Sequence, residues 1–220
     1  MTLLIFDCDG VLVDSELLAN EALAELISAL GHPMTTQQAV QVFSGLRLRD
    51  VLESAEALLS FPIPADLGAA AGQRLLERFR RELQPVKGVR EALDMLPDPR
   101  CVASSSSRER LELSIEVTGL KKLFGENIFS ADQVEHGKPA PDLYLFAASS
   151  LGVTPANCLV IEDSTLGIQA AVSAGMKTIG SAGASHATVE LAQRLKEAGA
   201  NIVIAAMSDL PAAIDRLTRC

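Results

Sequence analysis

LLIFDCDGVLVDSE spans Leu3–Glu16, and the reading of this stretch decides the fold. Four apolar residues, Leu3–Phe6, run without a break into two aspartates, Asp7 and Asp9. A short continuous apolar run is the pattern of a strand covered on both faces. Side chains alternate along an extended chain, so Asp7 and Asp9 leave it on the same side and Cys8 points away. Gly10 already supplies a turn. Two acids leaving a buried strand carry a desolvation cost that turn formation explains poorly.

Five similar runs follow: Arg100–Ser104, Asn127–Ser130, Cys158–Glu162, Lys177–Gly180 and Asn201–Ala205. Helical spacing fills most of the intervals. Leu111, Ile115 and Val117 mark Arg108–Thr118; Leu143, Phe146, Ala147 and Leu151 mark Pro141–Leu151. Leu166–Ala174 and Val189–Ala198 behave likewise. Alternating strand and helix predicts an α/β fold, a parallel sheet with helices on its faces.

Residues 15–83 break this rhythm with helix after helix. Leu17–Leu30 stops at Gly31 and Pro33. A second helix, capped by Thr35 or Thr36, ends near Gly45. Leu48–Leu59 forms a third. Pro62 and Pro64 punctuate, and Asp66 caps a fourth that runs to about Leu83. The expected organisation is a core of residues 1–14 and 84–220 with a helical module, 15–83, inserted after the first strand.

The 220 residues are 48% hydrophobic, with no tryptophan and 4% aromatic residues, so the core is built from Leu, Ala, Val and Ile. A net charge of −9 argues against nucleic acid as a partner, since phosphate backbones want clustered Lys and Arg. No apolar run approaches the roughly 20 residues of a membrane span. Leu3–Phe6 is preceded by no basic region and followed by no cleavage site. Cys8, Cys101, Cys158 and Cys220 form no CxxC pair. Reduced thiols and a cytoplasmic location are expected. A monomer is expected too, because the inserted module must swing.

In a parallel sheet, functional residues gather at the carboxyl ends of the strands. After the first strand stand Asp7 and Asp9. Ser104, Ser105 and Ser106 end the second. Glu162 and Asp163 end the fourth, and Lys138 opens the loop GKPAPD, Gly137–Asp142. Carboxylates forced together raise one another's pKa, and a hard divalent cation relieves them. Magnesium takes one or two carboxylates, water and a substrate phosphate. A lysine and hydroxyls beside it suit phosphoryl oxygens. The set reads as magnesium-assisted phosphoryl transfer with an aspartate free to attack.

DCDGVLVDSE, VASSSS, GKPAPD and IEDSTLGIQAA resemble, in order, the four motifs of the haloacid dehalogenase superfamily. The helical insertion resembles the cap of its beta-phosphoglucomutase and phosphoglycolate phosphatase branch. The resemblance implies a Rossmann-like core with an inserted helical-bundle cap. It implies Asp7 as the nucleophile that forms an aspartyl-phosphate and Asp9 as general acid and base. Ser104 would bind the transferring phosphoryl with its hydroxyl, Ser105 with its backbone amide, and Lys138 would tie nucleophile to phosphate. Asp163 and Asp7 would ligate Mg2+ with the backbone carbonyl of Asp9, and Glu162 would be a ligand or stand behind one.

Other residues have plainer readings. Ser106 and Ser107 are read as caps of the helix beginning near Arg108. Asp14 and Glu16 are read as hinge and entry to the insertion. His32, His136 and His186 are read as surface residues in turns or loops. Arg47 and Arg49, in SGLRLRD, either hold a second anionic group of the substrate or are simply exposed. Where the mutase carries a histidine on the first cap helix this chain has Ala19, and where it carries a cap arginine this chain has Leu48. The expected activity is therefore hydrolysis of a small phosphate monoester: a sugar phosphate, a phospho-sugar acid or a phosphoglycolate-like compound. The alternatives are a sugar phosphomutase and a non-catalytic protein that binds a phosphorylated metabolite.

Overall fold

The computed structural model describes residues 2–43, 46, 48–97 and 99–218, with residues 48 and 49 described by their backbone alone. The chain forms β1 (Leu3–Phe6) and then four helices, α1 (Glu16–Ala29), α2 (Thr36–Phe43), α3 (Leu48–Leu59) and α4 (Ala65–Glu82). A short α5 (Val89–Asp94) leads to β2 (Arg100–Ser104), followed by α6 (Arg108–Val117), α7 (Lys121–Phe124) and β3 (Ile128–Ser130). The remainder alternates: α8 (Asp142–Ser150), β4 (Cys158–Glu162), α9 (Thr165–Ser173), β5 (Lys177–Ser181), α10 (Val189–Glu197), β6 (Ile202–Ile204) and α11 (Leu210–Thr218).

The six strands form one sheet in the order β3-β2-β1-β4-β5-β6, and every pairing is parallel. The chain starts in the middle, builds outward to β3, then crosses back to β4 beside β1. That reversal opens a crevice between the carboxyl ends of β1 and β4. The sheet carries a core on each face, sorted by the two-residue period of the strands. Leu4, Phe6, Val102, Leu159 and Ile161 belong to one core, with Phe79 of α4 and Leu111 and Ile115 of α6. Leu3, Ile5, Ala103 and Val160 belong to the other, with Leu143 and Ala147 of α8 and Ala170 and Ala171 of α9.

Helices α1 to α4 leave the sheet between β1 and β2. Ala24, Ile27, Ala39, Phe43, Ala55, Leu59 and Ile63 make a separate small core there. The buried stripe of α1 is polar in its first turns, Glu16 and Asn20, and apolar beyond, Ala24 and Ile27. One helix face thus serves two surroundings.

The α/β class and the strand positions match the sequence expectation. The Thr35 hydroxyl accepts from the Gln38 amide, as a cap should. Two corrections concern caps. Pro64, not Asp66, occupies the N-cap position of α4, with Asp66 in the first turn. Ser107 caps α6, whereas Ser106 turns elsewhere. Helices α5, α7 and α11 were not anticipated. The first two, at six and four residues, are too short to show a period. In α11, Leu210, Ala213 and Ile214 do show helical spacing.

Candidate active site

The sheet register brings the acids together. Phe6 is level with Ile161, and the Asp7 amide donates to the Ile161 carbonyl at 2.9 Å. Asp7 therefore emerges beside Glu162. On the other flank β2 ends in Ser104, level with Ser130 of β3. The loop after β3 returns to place Lys138, whose peptide bond to Pro139 is cis.

Lys138 Nζ donates to Asp7 Oδ1 and to Glu162 Oε2, each at 2.7 Å, with all three side chains buried. The Tyr144 hydroxyl of α8 donates to the same Glu162 oxygen at 2.6 Å, and Lys138 Nζ lies 5.1 Å from the Tyr144 ring centroid. The other oxygen, Oε1, accepts from the Asp163 amide at 3.1 Å, the Ser164 amide at 2.9 Å and the Ser164 hydroxyl at 2.8 Å. A carboxylate offers about four lone-pair sites, so these five donors leave Glu162 saturated.

Two glycines make room for the acids. A Cβ on Gly167 would overlap the Glu162 carboxylate, and one on Gly10 would overlap Asp163 Oδ2. Gly10 also has φ +76°, the left-handed region that glycine enters without strain.

Burial pushes the Asp7 carboxyl up; Lys138 pulls it back, and Glu162, Asp163 and Asp9 push it further. Burial opposes the Glu162 charge too, yet Lys138, Tyr144 and the Ser164 amide prevail and hold it below the usual carboxylate range. Asp163 is pushed up to about 7 by burial, against the pull of His186. Carboxylate oxygens of Asp7, Glu162 and Asp163 lie within 4.8 Å of one another. This group of buried oxygen donors, with Asp7 and Asp163 both kept from ionising freely, fits a hard cation.

Asp9 is held differently. Its Oδ1 accepts from Ser15 Oγ at 2.5 Å and Arg110 Nη2 at 2.7 Å. Its Oδ2 accepts from Ser106 Oγ at 2.7 Å and Ser104 Oγ at 3.3 Å. Burial opposes its charge, but Arg110, Ser15 and Ser106 outweigh burial and keep it below its ordinary value. The Ser105 hydroxyl beside it is buried without a hydrogen-bond partner.

A cavity of about 500 Å³ lies over these residues. Its floor includes Asp7, Asp9, Ser104, Ser105, Ser106, Lys138, Glu162 and Asp163. Its roof comes from the inserted helices, with Glu16, Ala19, Asn20 and Leu23 of α1 and Gly72 and Leu75 of α4. Asn20 donates to the Glu16 carbonyl at 2.8 Å and to its carboxylate at 3.3 Å.

This geometry is that of a known family, and a family model described as haloacid dehalogenase-like hydrolase matches residues 4–181. The chain belongs to that family. A phosphorylated carbohydrates phosphatase of Thermotoga maritima is 34% identical over 189 residues, 81% of this chain and 84% of that one. A 6-phosphogluconate phosphatase of Escherichia coli K12 is 26% identical over 177 residues, 78% of each chain. Among solved structures, a conserved haloacid dehalogenase-like protein from Agrobacterium tumefaciens superposes with a TM-score of 0.86 at 40% identity, over 99% of both chains. This haloacid dehalogenase-like chain is thus an enzyme, a hydrolase. Among its described residues, no helix is long and apolar enough to cross a membrane.

Of the residues singled out in the sequence, Asp7, Asp9, Ser104, Ser105, Lys138, Glu162 and Asp163 meet at one cavity. Arg47 and the Arg49 side chain lie outside the described residues. Two residues, Ser106 and His186, depart from their plain readings. Ser106 bonds Asp9 instead of capping α6. His186 is no surface residue: its side chain is 7% exposed, and its Nε2 stands 3.0 Å from Asp163 Oδ2. The turn at Gly10 admits that ring, for a Cβ there would also meet His186 Cε1 at 2.8 Å. Glu16 lines the cavity roof, whereas Asp14 ties down the loop of His186 by accepting from the Ser185 hydroxyl at 2.7 Å. Tyr144 and Arg110 were missed altogether. Tyr144 sits among apolar residues of a helix, and Arg110 looks like any charge near a helix start; neither carries a motif.

Proposed function

We propose that the chain is a magnesium-dependent phosphatase that hydrolyses a small phosphate monoester through an aspartyl-phosphate on Asp7. The observation that carries this reading is the buried Asp7–Lys138–Glu162 triad with Asp163 alongside. Such a concentration of acid around one lysine invites a cation and a phosphoryl group. The names of the two bacterial phosphatases above support a phosphorylated sugar or sugar acid as the substrate class.

Asp7 and Asp163 would hold Mg2+ through carboxylate oxygens, with the Asp9 backbone carbonyl completing the protein's share. Glu162, its lone pairs filled by five donors, positions Lys138 and the Asp163 turn. Bound magnesium would neutralise the carboxylates and the charge on the phosphoryl oxygens. Lys138, the Ser104 hydroxyl and the Ser105 amide hold the phosphoryl oxygens. Asp7 attacks phosphorus as the ester oxygen departs, and Asp9, having taken up a proton, delivers it to that oxygen. Water then attacks the aspartyl-phosphate, Asp9 takes the proton, and phosphate leaves.

Residues 15–83 act in this reading as a cap domain on a core of 1–14 and 84–220, excluding water when closed. The same cap holds Ala19 in the cavity roof, where the mutase carries a histidine, and this departure from the mutase pattern favours hydrolysis over isomerisation. The test is a phosphate-ester panel run with magnesium and again with EDTA, beside Asp7→Asn. Magnesium-dependent phosphate release, abolished in the variant, is the expected result. Activity that survives chelation sinks the metal role. A rearranged sugar phosphate without free phosphate favours a mutase, and equal binding by both proteins with no turnover favours a binder.

A further inference from the structure

We infer that Arg110 anchors a second anionic group of the substrate, so that the preferred monoesters carry a carboxylate or a second phosphate beyond the phosphoryl group removed. This rests on the phosphatase reading above and narrows its substrate class.

Asp9 turns Oδ2 toward Ser104 and Ser106, on the phosphoryl side, and Oδ1 toward Ser15, where the chain enters the inserted helices. Arg110 is on Oδ1. It lines the cavity and packs against Phe79 of α4, so it stands where the core meets the inserted helices, the side taken by the leaving group in this reading.

Among the described residues lining the cavity, the cations are Lys138 and Arg110. Lys138 is shared between Asp7 and Glu162 at the phosphoryl end. On the leaving-group side Arg110 faces the acids Asp9 and Glu16. A second anion has Arg110 as its one described cationic partner there.

Nη2 bonds Asp9, but Nε of the same guanidinium is buried with no hydrogen-bond partner. These two donors share one edge of the fork, the edge that matches two oxygens of a carboxylate or phosphate. Asp9 uses half of it. The guanidinium lies over the ring of Phe79 of α4, with Cζ 5.1 Å from the ring centroid, a contact that restrains the fork. A substrate anion bonding both donors takes the place of Asp9 and releases its Oδ1 toward the leaving oxygen.

The experiment compares matched esters on one enzyme preparation with magnesium: 6-phosphogluconate against sorbitol 6-phosphate, and fructose 1,6-bisphosphate against fructose 1-phosphate. A ratio of kcat/KM values does not depend on how much of the preparation is folded. The wild type is expected to favour an anionic member by about tenfold to 100-fold, the worth of a charge-assisted contact. Arg110→Met should bring that ratio close to one, and Arg110→Lys should retain part of it, chiefly through KM. Loss in the first pair alone assigns the anchor to carboxylates, and loss in the second alone to phosphates. A wild type indifferent to the extra charge, or equal losses on both members of each pair, overturns the inference while leaving the phosphatase reading intact. If 4-nitrophenyl phosphate and every other monoester resist the wild type, the phosphatase reading falls and the inference with it.

Discussion

Lys138 Nζ lies 2.7 Å from Asp7 Oδ1 although the two residues stand 131 positions apart, and both side chains are buried. The contact joins the end of β1 to the loop after β3 and reaches on to the end of β4 through Glu162. One ammonium thereby reconciles two carboxylates that the sheet register forces together. Burial alone would lower the Lys138 pKa, but Asp7 and Glu162 carry it well above its ordinary value.

Lys138→Met should abolish turnover and destabilise the fold. Removing one member of a buried charge group leaves the others uncompensated, at a cost of about 3–5 kcal/mol. The loss should be largest near neutral pH. It should shrink toward pH 4, where Asp7 and Glu162, no longer held charged by Lys138 in the variant, accept protons and stop repelling each other. Thermal melts of variant and wild type from pH 4 to 8 check this. A destabilisation independent of pH would contradict the electrostatic account.

Chelation should reveal the cost of Asp163. Its folded-state pKa of about 7 lies above the unfolded value near 3.9, so the folded state binds the extra proton. In metal-free protein this group therefore lowers stability as pH rises from about 4 to 7. His186, raised by the same contact, contributes stability below its unfolded value near 6.5 that is likewise lost as pH rises through its folded value, so it steepens the upper end of that fall. Adding Mg2+ at 100 times its dissociation constant should restore about 2.7 kcal/mol, read as a higher Tm. Asp163→Asn should flatten the pH dependence and remove the magnesium shift together.

Gly167→Ala should inactivate the enzyme although Gly167 carries no chemistry. Its Cβ would overlap Glu162, which must then swing off Lys138 and Tyr144. We expect a fall in kcat of at least about 100-fold, comparable to losing one electrostatic group at the reacting centre. Gly152→Ala makes a useful contrast, because nothing lies within 4 Å of its added Cβ. That variant should lose only stability, about 1–2 kcal/mol for its left-handed backbone, and keep its kcat.

Tyr144→Phe should cost about 1–3 kcal/mol, since the Glu162 oxygen it serves stays buried with one donor fewer. KM should hardly move and kcat should fall several-fold as Lys138 gains freedom. Chemical denaturation and steady-state kinetics on the same preparation separate the two effects. An unchanged stability would mean that water takes over the hydroxyl's place.

Much of the molecule was legible in its residues. Apolar runs of three or four residues mark β1, β2, β4 and β6, and shorter ones mark β3 and β5, because a parallel strand is covered on both faces and needs no polar side. The acids after β1 and β4, the serines after β2 and Lys138 were visible because polar residues that end such runs have a cost to justify. Ser106, Tyr144, Arg110 and His186 were not visible. Their roles come from partners 18 to 101 positions distant or, for His186, from a loop that Asp14 ties over the Gly10 turn. Periodicity records which face of an element is buried, and it is silent about what meets that face. The sequence by itself determined the α/β class, the six strands and the motif residues Asp7, Asp9, Ser104, Ser105, Lys138, Glu162 and Asp163 that meet at the cavity. Only the tertiary structure decided that Glu162 is saturated and that Asp9 is paired with Arg110, because hydrogen bonds at 2.5–3.3 Å depend on how the sheet register and the helix packing align separate segments.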